Sequence, residues 1–262
     1  MITQMTDCLF DLTEQVIIVT GGGGLIGAEV CRLLDRHGAD IVVADLDESR
    51  GPEIADQLDN GTFQSLDITD VDSIDTTCNV VFDKYNRIDG LVNMAYPQTD
   101  DYGKQFESVE KEDLVANLSL HLGGYYAMTK AVALRMVEQE HEGSIVNFSS
   151  IYGIQAPDFS MYDQTDMTSP VEYSIIKAGI LNFTRYLASY LGQDGIRVNS
   201  VSPGGVFNDQ DHRFVENYES EVPLGRMAKP TEISGAVVYL LSNAASYVTG
   251  HNLVVDGGWT IK

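Results

Sequence analysis

The chain has 262 residues, of which 39 are acidic and 16 are basic, so its formal charge is -23 at pH 7. The acidic residues are spread along the chain, and without clustered Lys and Arg we expect neither nucleic acid nor an anionic membrane as a partner. A dispersed acidic excess is typical of a surface adapted to high salt, the interpretation we prefer, although it could also attract a cationic substrate.

Targeting and redox signals are missing from the sequence. No apolar run approaches the roughly 18 residues of a membrane span, and the first residues lack the order of a signal peptide. Cys8, Cys31 and Cys78 stand far apart without a C-x-x-C pair, so neither a zinc site nor a disulfide framework is expected. We therefore expect a cytoplasmic protein with free thiols and no metal.

Short β-branched apolar runs alternate with longer helical patterns along the chain. The runs predict strands over residues 16–20, 40–45, 62–66, 89–94, 144–149, 196–202 and 252–256. The first helical pattern ends at Gly38, and the others fall near 49–58, 71–85, 110–140, 173–193 and 230–242. Continuous apolar strands belong in a parallel sheet covered by helices on both faces. We predict a single α/β domain over residues 1–262, a doubly wound Rossmann fold with a mostly parallel seven-stranded sheet.

A glycine-rich turn, T-G-G-G-G-L-I-G, joins the first predicted strand to the first helix at residues 20–27. Glycines let the backbone approach a pyrophosphate, and the start of a helix offers unpaired N–H groups. Asp45, at the end of the second strand, can accept hydrogen bonds from the ribose hydroxyls of adenosine. Because its charge would repel a 2′-phosphate and no basic residue follows until Arg50, we expect NAD in preference to NADP. The alternative interpretation is that the Asp45 carboxylate is merely solvated at the end of the strand.

Tyr173 is the one tyrosine of residues 150–177 that has a lysine four positions later, Lys177. In a helix this spacing puts both side chains on one face. A phenol has an ordinary pKa of about 10, so it needs help to exchange a proton near neutrality, and an ammonium has the right charge to give it.

These motifs together resemble the short-chain dehydrogenase/reductase family over nearly the whole chain. The glycine turn, Ser150, Y-x-x-x-K, RVNSVSPGG (197–205) and YVTGHNLVVDGGW (247–259) occur in the family's order. The resemblance implies that Tyr173 exchanges the proton of the substrate oxygen, Ser150 hydrogen-bonds that oxygen, and Lys177 orients the ribose and lowers the pKa of Tyr173.

The resemblance also implies a set of cofactor contacts. Asp67 and Ile68 would flank the adenine, Asn93 and Ala95 would lie beside the ribose, and Asn208 would contact the carboxamide. The full set is Gly21, Gly24, Leu25, Ile26, Gly27, Asp45, Leu46, Asp67, Ile68, Asn93, Ala95, Tyr173, Lys177, Pro203, Gly204, Val206 and Asn208.

Three departures from the family pattern mark this chain. Leu25 replaces the middle glycine of the usual turn, and Tyr96 stands where N-A-G has its glycine, so we expect Tyr96 to line the pocket. The family's fourth catalytic residue is an asparagine that holds a relaying water. Here the alignment puts His121 at that position, with Asn117 one helical turn earlier. His121 is our candidate relay, and a packed or solvated histidine is the alternative.

Ser150 and Tyr173 are 23 positions apart, which is longer than the family usually has. We expect an insertion near 153–172 and a substrate loop near 205–225. The insertion is either a plain surface loop or a wall of the substrate pocket. On the second hypothesis the substrate candidates are Tyr96, Tyr152, Asp158 and Tyr162, although packing alone would also explain Tyr152.

The sequence thus predicts an NAD-dependent enzyme that interconverts a secondary alcohol and a ketone. Segments such as NMAYPQTDDYGKQF and SPGGVFNDQ resemble oxidoreductases of flagellin modification and nonulosonic-sugar synthesis, which implies a sugar or sugar-phosphate substrate. A 3-oxoacyl thioester reductase and a non-catalytic dinucleotide-binding scaffold are the alternatives. By analogy with the family we expect a homodimer or homotetramer.

Overall fold

In the computed structural model, which describes residues 9–139, 141–165 and 167–262, strands and helices alternate along the chain. All strand pairs of the sheet are parallel. The strands are β1 (Val16–Thr20), β2 (Asp40–Asp45), β3 (Gly61–Ser65), β4 (Gly90–Asn93), β5 (Gly143–Phe148), β6 (Ile196–Pro203) and β7 (Asn252–Val255). The predicted Rossmann fold is confirmed, and each predicted strand lies within about two residues of its observed bounds.

The strands lie in the order β3-β2-β1-β4-β5-β6-β7. The order reverses between β1 and β4, which pair with Thr20 opposite Asn93. Beside that point the two helices that follow β1 and β4 turn to opposite faces of the sheet, and a crevice opens at the carboxyl ends of the strands. The fold therefore places a ligand site next to the glycine turn.

The main helices cover both faces of this sheet. They are α1 (Leu25–Arg36), α2 (Arg50–Ala55), α3 (Val71–Tyr85), α4 (Lys111–Asn117), α5 (Gly123–Glu138), α6 (Val171–Leu191), α7 (His212–Glu221) and α8 (Thr231–Leu241). Short 3₁₀ turns cover Phe106–Ser108, Ile151–Gly153, Phe159–Tyr162, Gly192–Asp194, Asn243–Ala245 and Trp259–Ile261. None of the helices in the described part of the chain is both long and apolar enough to cross a membrane.

Two hydrophobic layers, one on each face of the sheet, form the core. Every residue of β1 is buried, as expected for a central parallel strand. Helix α1 buries a stripe that includes Ala28, Cys31 and Leu34, each three residues apart. Burying one such leucine contributes about 1.5–3 kcal/mol. Cys31 and Cys78 are buried free thiols, whereas Cys8 lies outside the described residues.

Two predicted segments differ from the structure. The helix predicted over 110–140 is divided by a π-helical segment, Leu118–Leu122, between α4 and α5. The predicted substrate loop near 205–225 contains helix α7, which sequence reasoning missed. The signal was an apolar stripe in which Phe214 and Tyr218 are spaced four residues apart.

Helix α7 and the predicted insertion build a third hydrophobic cluster. In it the 3₁₀ turn Phe159–Tyr162 packs against α7, and Tyr218 of α7 stacks on Trp259 near the C-terminus. The buried members are Ile151, Met161, Phe214, Tyr218, Val222, Met227 and Trp259. The 3₁₀ turn of the insertion is therefore anchored to the domain through the buried side chain of Met161.

Candidate active site

The glycine turn after β1 brings three backbone segments close together. Gly21 has a φ of +71°, and a Cβ there would lie 2.9 Å from the Cα of Ala95. A Cβ on Gly27 would collide with the Gly21 carbonyl. Helix α1 begins at Leu25, and its N-cap, Gly24, has no side chain to occupy the first N–H groups. These groups stay available to an anion such as a pyrophosphate.

Asp45 lies at the end of β2 and is held by the turn itself. Its Oδ2 accepts a hydrogen bond from the Gly23 N–H at 2.8 Å, and its Oδ1 accepts one from the Asp47 N–H at 3.0 Å. A carboxylate has about four acceptor positions, so two remain for other donors. The geometry fits a group that offers two neighbouring hydroxyls.

One cavity of about 740 Å³ runs from this turn to the catalytic tyrosine predicted from the sequence. Nearly all of the predicted cofactor residues line it. They are Gly21, Gly24, Leu25, Ile26, Gly27, Asp45, Leu46, Asp67, Ile68, Ala95, Tyr173, Lys177, Pro203, Gly204, Val206 and Asn208. The exception is Asn93.

The side chain of Asn93 lies in the core and does not line the cavity. Its Nδ2 donates to Thr129 Oγ1 at 2.7 Å and to Asn147 Oδ1 at 3.0 Å, and the residue is fully buried. Asn147 in turn donates to Thr184. These two bonds tie β4 to β5 and α5, whereas Oδ1 of Asn93 has no hydrogen-bond partner among the described residues. The ribose contact of Asn93 stays a prediction.

Several lining residues were missed by sequence reasoning: Ala44, Leu66, Met94, Pro97, Phe148, Ser149 and Gln210. Most stand next to a predicted contact or at the carboxyl end of a strand, so the strand ends were the available signal. Gln210 has no such signal. Its amide donates to the Val206 carbonyl and accepts from the Asn208 N–H, which shapes the loop after β6.

Lys177 lines the cavity and is only 5% exposed. Its Nζ donates to the Phe148 carbonyl at 3.0 Å and lies 3.4 Å from Nε2 of His121. The rings of Tyr96, Tyr125 and Tyr173 surround the same nitrogen, each 5.5–5.7 Å from ring centre to Nζ. Burial lowers the pKa of Lys177 to about 7, because an ammonium loses hydration there.

Tyr173 is the other half of the predicted pair, one helical turn before Lys177 on α6. Burial raises the pKa of its phenol, and a hydrogen bond with the Ser150 hydroxyl opposes that rise. Desolvation has the larger effect on this pKa, and the role of Lys177 in lowering it stays a prediction. Ser150 itself is buried, and its Oγ accepts from the Tyr152 N–H at 3.2 Å.

His121 reaches Lys177 because the π-helical segment inserts an extra residue into the helix. The imidazole is 1% exposed, and burial followed by the charge of Lys177 lowers its pKa to about 2, so the ring is neutral near neutral pH. Its Nδ1 has no hydrogen-bond partner among the described residues. Asn117 is occupied elsewhere, donating to Thr99 and to the Asp113 carbonyl. Of these two residues, His121 is the one with a described contact to Lys177, and its relay role stays a prediction.

The substrate candidates of the insertion are placed differently from one another. Tyr152 meets Tyr173 edge to face, with ring centres 6.4 Å apart, and its hydroxyl lies 3.1 Å from that of Tyr162. Asp158 is exposed and caps the turn Phe159–Tyr162, accepting from the Ser160 N–H and hydroxyl. Both bonds use Oδ1 of Asp158, and its contact with a substrate stays a prediction.

Tyr96 lines the cavity, as the sequence predicts. Its ring packs at right angles to Tyr173, 5.8 Å between centres, and against His121 at 4.9 Å. Its hydroxyl is hydrogen-bonded to that of Tyr102. Burial, with the Tyr102 phenol next in effect, raises the pKa of Tyr96 far above its usual range, so its phenol is neutral.

Comparison with known proteins agrees with this geometry. A family model described as Enoyl-(Acyl carrier protein) reductase matches residues 24–260. The chain is 35% identical over 254 residues to Post-translational flagellin modification protein A of Campylobacter coli, covering 95% of this chain and 99% of that protein. It is 32% identical over 256 residues to 3-oxoacyl-[acyl-carrier-protein] reductase FabG of Chlamydia muridarum, covering 94% of this chain and 98% of that protein.

A solved structure gives the same result. A short-chain dehydrogenase from Leptospira borgpetersenii with bound NAD+ superimposes with a TM-score of 0.86 at 32% identity, covering 95% of this chain and 94% of that one. The chain therefore belongs to the short-chain dehydrogenase/reductase family, oxidoreductases that bind a nicotinamide dinucleotide.

Proposed function

We propose that the protein is an NAD-dependent oxidoreductase that interconverts a secondary alcohol and a ketone on a sugar or sugar phosphate. The observation that carries this proposal is the single cavity that joins the Asp45 carboxylate to Tyr173 and Lys177. A dinucleotide lying along it would present its adenosine to Asp45 and its nicotinamide to Tyr173.

The preference for NAD rests on the carboxylate of Asp45. Two of its acceptor positions are used by backbone N–H groups, and the remaining ones suit the 2′ and 3′ hydroxyls of an adenosine ribose. A 2′-phosphate would meet the negative charge instead. The Leptospira relative, which contains NAD+, supports the same choice.

The protein's own residues would manage the proton of the reaction. Tyr173 would give a proton to the ketone oxygen or take it from the alcohol, while the Ser150 hydroxyl hydrogen-bonds the same oxygen. Lys177 would hold the nicotinamide ribose and, when protonated, stabilise a Tyr173 phenolate. The neutral imidazole of His121 would accept from the Lys177 ammonium through Nε2. The bound dinucleotide supplies or accepts the hydride.

A carbohydrate substrate is favoured by the side chains around Tyr173. Phenols stand on two sides of it, with Tyr96 and Tyr102 on one side and Tyr152 and Tyr162 on the other. Rings with hydroxyl groups suit a ligand that has apolar faces and many hydroxyls. The similarity to a flagellin modification protein points in the same direction.

Our proposals for the assembly and the location of the protein rest on analogy with the family. We propose a homodimer or homotetramer formed through α4, α5 and α6, in the cytoplasm. Large apolar rings are exposed on two of these helices, at Tyr126 on α5 and at Tyr186 and Tyr190 on α6. Exposed aromatic surface of this kind often marks an interface.

The alternative enzyme is a 3-oxoacyl thioester reductase, because a relative of that name is 32% identical to the chain. A non-catalytic scaffold is the alternative from another class, and the intact set of Ser150, Tyr173 and Lys177 argues against it.

The deciding experiment is a panel of sugars, sugar phosphates and a β-ketoacyl thioester, assayed with NAD(H) and NADP(H). We expect turnover of a carbohydrate with NAD(H). Turnover of the thioester with NADPH, together with no reaction on any carbohydrate, would replace the first proposal by the alternative. No turnover on the whole panel, with tight dinucleotide binding retained, would favour the scaffold.

A further inference from the structure

Tyr96 is the residue by which this chain departs most from its family next to the reacting groups. It follows β4 in the segment N93-M-A-Y96, where the family pattern has glycine. A glycine would leave open space at this point. The ring of Tyr96 instead lies against three polar groups, His121, Tyr173 and Lys177.

Groups from several elements pack around Lys177 Nζ, although the residue also lines the cavity. The π-helical segment contributes His121, β5 contributes the Phe148 carbonyl, and α5 contributes the ring of Tyr125. Tyr173 closes the side toward its own helix. The ring of Tyr96, with its centre 5.5 Å from Nζ, stands beside the lysine on the cavity side, since both residues line the cavity.

Exposure shows which of the three rings faces outward. Tyr125 is fully buried in the core, and Tyr173 belongs to the reacting pair. Tyr96 is 41% exposed and lines the cavity, yet the lysine behind it is only 5% exposed. Tyr96 is thus the more exposed of the two residues and forms a wall between Lys177 and the outside of the cavity. Its hydroxyl is hydrogen-bonded to that of Tyr102 on the loop that follows.

We propose that Tyr96 is a positioning residue whose ring separates the Lys177 ammonium from bulk water, so that Lys177 exchanges protons through Tyr173 and His121. The consequence for catalysis rests on the proposed function, whereas the wall itself does not. A ring at this distance also attracts the ammonium by a cation–π interaction while it removes water. Removing the ring should hydrate Lys177 and return its pKa toward its ordinary value.

The test is chemical labelling of Lys177 with acetic anhydride between pH 6 and 9.5, followed by mass spectrometry, since only the neutral amine reacts. In the natural protein we expect slow labelling that stops rising soon above pH 7. In Tyr96→Gly the rate at pH 9 should be about tenfold higher or more and should still be rising, as for a solvated lysine with an ordinary pKa of about 10.4. Tyr96→Phe, which keeps the ring, should behave like the natural protein.

Lys130 is exposed on α5 and serves as the control in every sample, since its labelling should not change. Circular dichroism checks that each variant is folded, and Tyr96→Ala replaces the glycine variant if that one is not. Equal labelling profiles of Lys177 in the natural protein and in the variant without the ring would overturn the proposal. So would fast labelling in Tyr96→Phe.

Turnover gives a second and independent test. His121→Ala should slow the natural enzyme more than it slows Tyr96→Gly, because water can replace the imidazole once the wall is open. An equal loss in both backgrounds would contradict the proton route. Labelling needs no substrate, so a failure of the proposed carbohydrate reaction would leave the test of the wall unaffected.

Discussion

We call one end of the cavity the dinucleotide end (residues 20–27 and 45–46). Two of its contacts join parts of a single strand-turn-helix-strand unit, since Gly23 donates to Asp45 and Gly27 lies against Gly21. At the other end, the substrate end (residues 150–173 and 205–221), contacts join segments far apart in the chain. Asn217 of α7 donates to the Met161 carbonyl of the insertion, and Tyr218 stacks on Trp259.

The difference shows two ways of building a binding site. The dinucleotide end is made by backbone groups, which glycine and strand positions specify locally. The substrate end is made by side chains that pack only after the domain has folded, so its shape depends on a small hydrophobic cluster of its own. Substitutions at the two ends should therefore affect different measurements.

Tyr173→Phe should have the largest effect. Loss of the hydroxyl removes the proton exchange, which contributes about 10²–10⁴-fold to the rate of such reactions. We expect kcat to fall by that factor and the Kd for NADH, measured by fluorescence, to stay within about twofold. A variant that keeps its full rate would remove Tyr173 from the chemistry.

Phe214→Ala tests the substrate end. Removing a buried ring from the cluster should lower the free energy of unfolding by about 3–5 kcal/mol and loosen the insertion. We expect a lower Tm and a higher KM for substrate, with the Kd for NADH nearly unchanged. The matched control is Phe106→Ala, because Phe106 is 73% exposed. If both variants behave alike, the cluster does not support the pocket.

Asp45→Ala tests the dinucleotide end. Loss of hydrogen bonds to a charged acceptor costs about 1.5–3 kcal/mol, which corresponds to roughly 10–100-fold in affinity. We expect NADH binding to weaken by this factor and discrimination against NADPH to fall, measured as the ratio of the two kcat/KM values. Asp56→Ala, at an exposed position outside the cavity, is the control. Unchanged discrimination would mean that Asp45 is only solvated.

Asn93→Ala separates a structural role from a cofactor role. The substitution removes the hydrogen-bond donor of Thr129 Oγ1 and Asn147 Oδ1, at a cost of about 1–3 kcal/mol. We expect thermal unfolding at a lower temperature and little change in the Kd for NADH. A weaker dinucleotide affinity at unchanged Tm would support the ribose contact that the sequence predicts.

Potassium chloride should have the smallest effect. With a formal charge of -23, the folded chain repels itself, and salt screens that repulsion. We expect the Tm to rise by about 2–4 °C between dilute buffer and 1 M KCl, the shift that about 1 kcal/mol produces in a domain of this size. No rise would argue against adaptation to high salt.

Sequence alone predicted the sheet, the position of the glycine turn and the pairing of Tyr173 with Lys177. Each of these is encoded by neighbours in the chain: an apolar run forms a buried strand, and a spacing of four brings two side chains to one helical face. The apolar stripe of helix α7 also indicates a helix, but we predicted a loop over these residues.

Only the tertiary structure decided which groups surround Lys177 and what the insertion does. A π-helical segment places His121, and not Asn117, beside Lys177. Hydrogen bonds to buried partners in β5 and α5 hold the Asn93 side chain in the core. Burial, which no local pattern reveals, sets the pKa of Lys177 near 7 and keeps His121 neutral. These properties depend on distances between segments remote in the chain, and packing determines those distances only when the domain is complete.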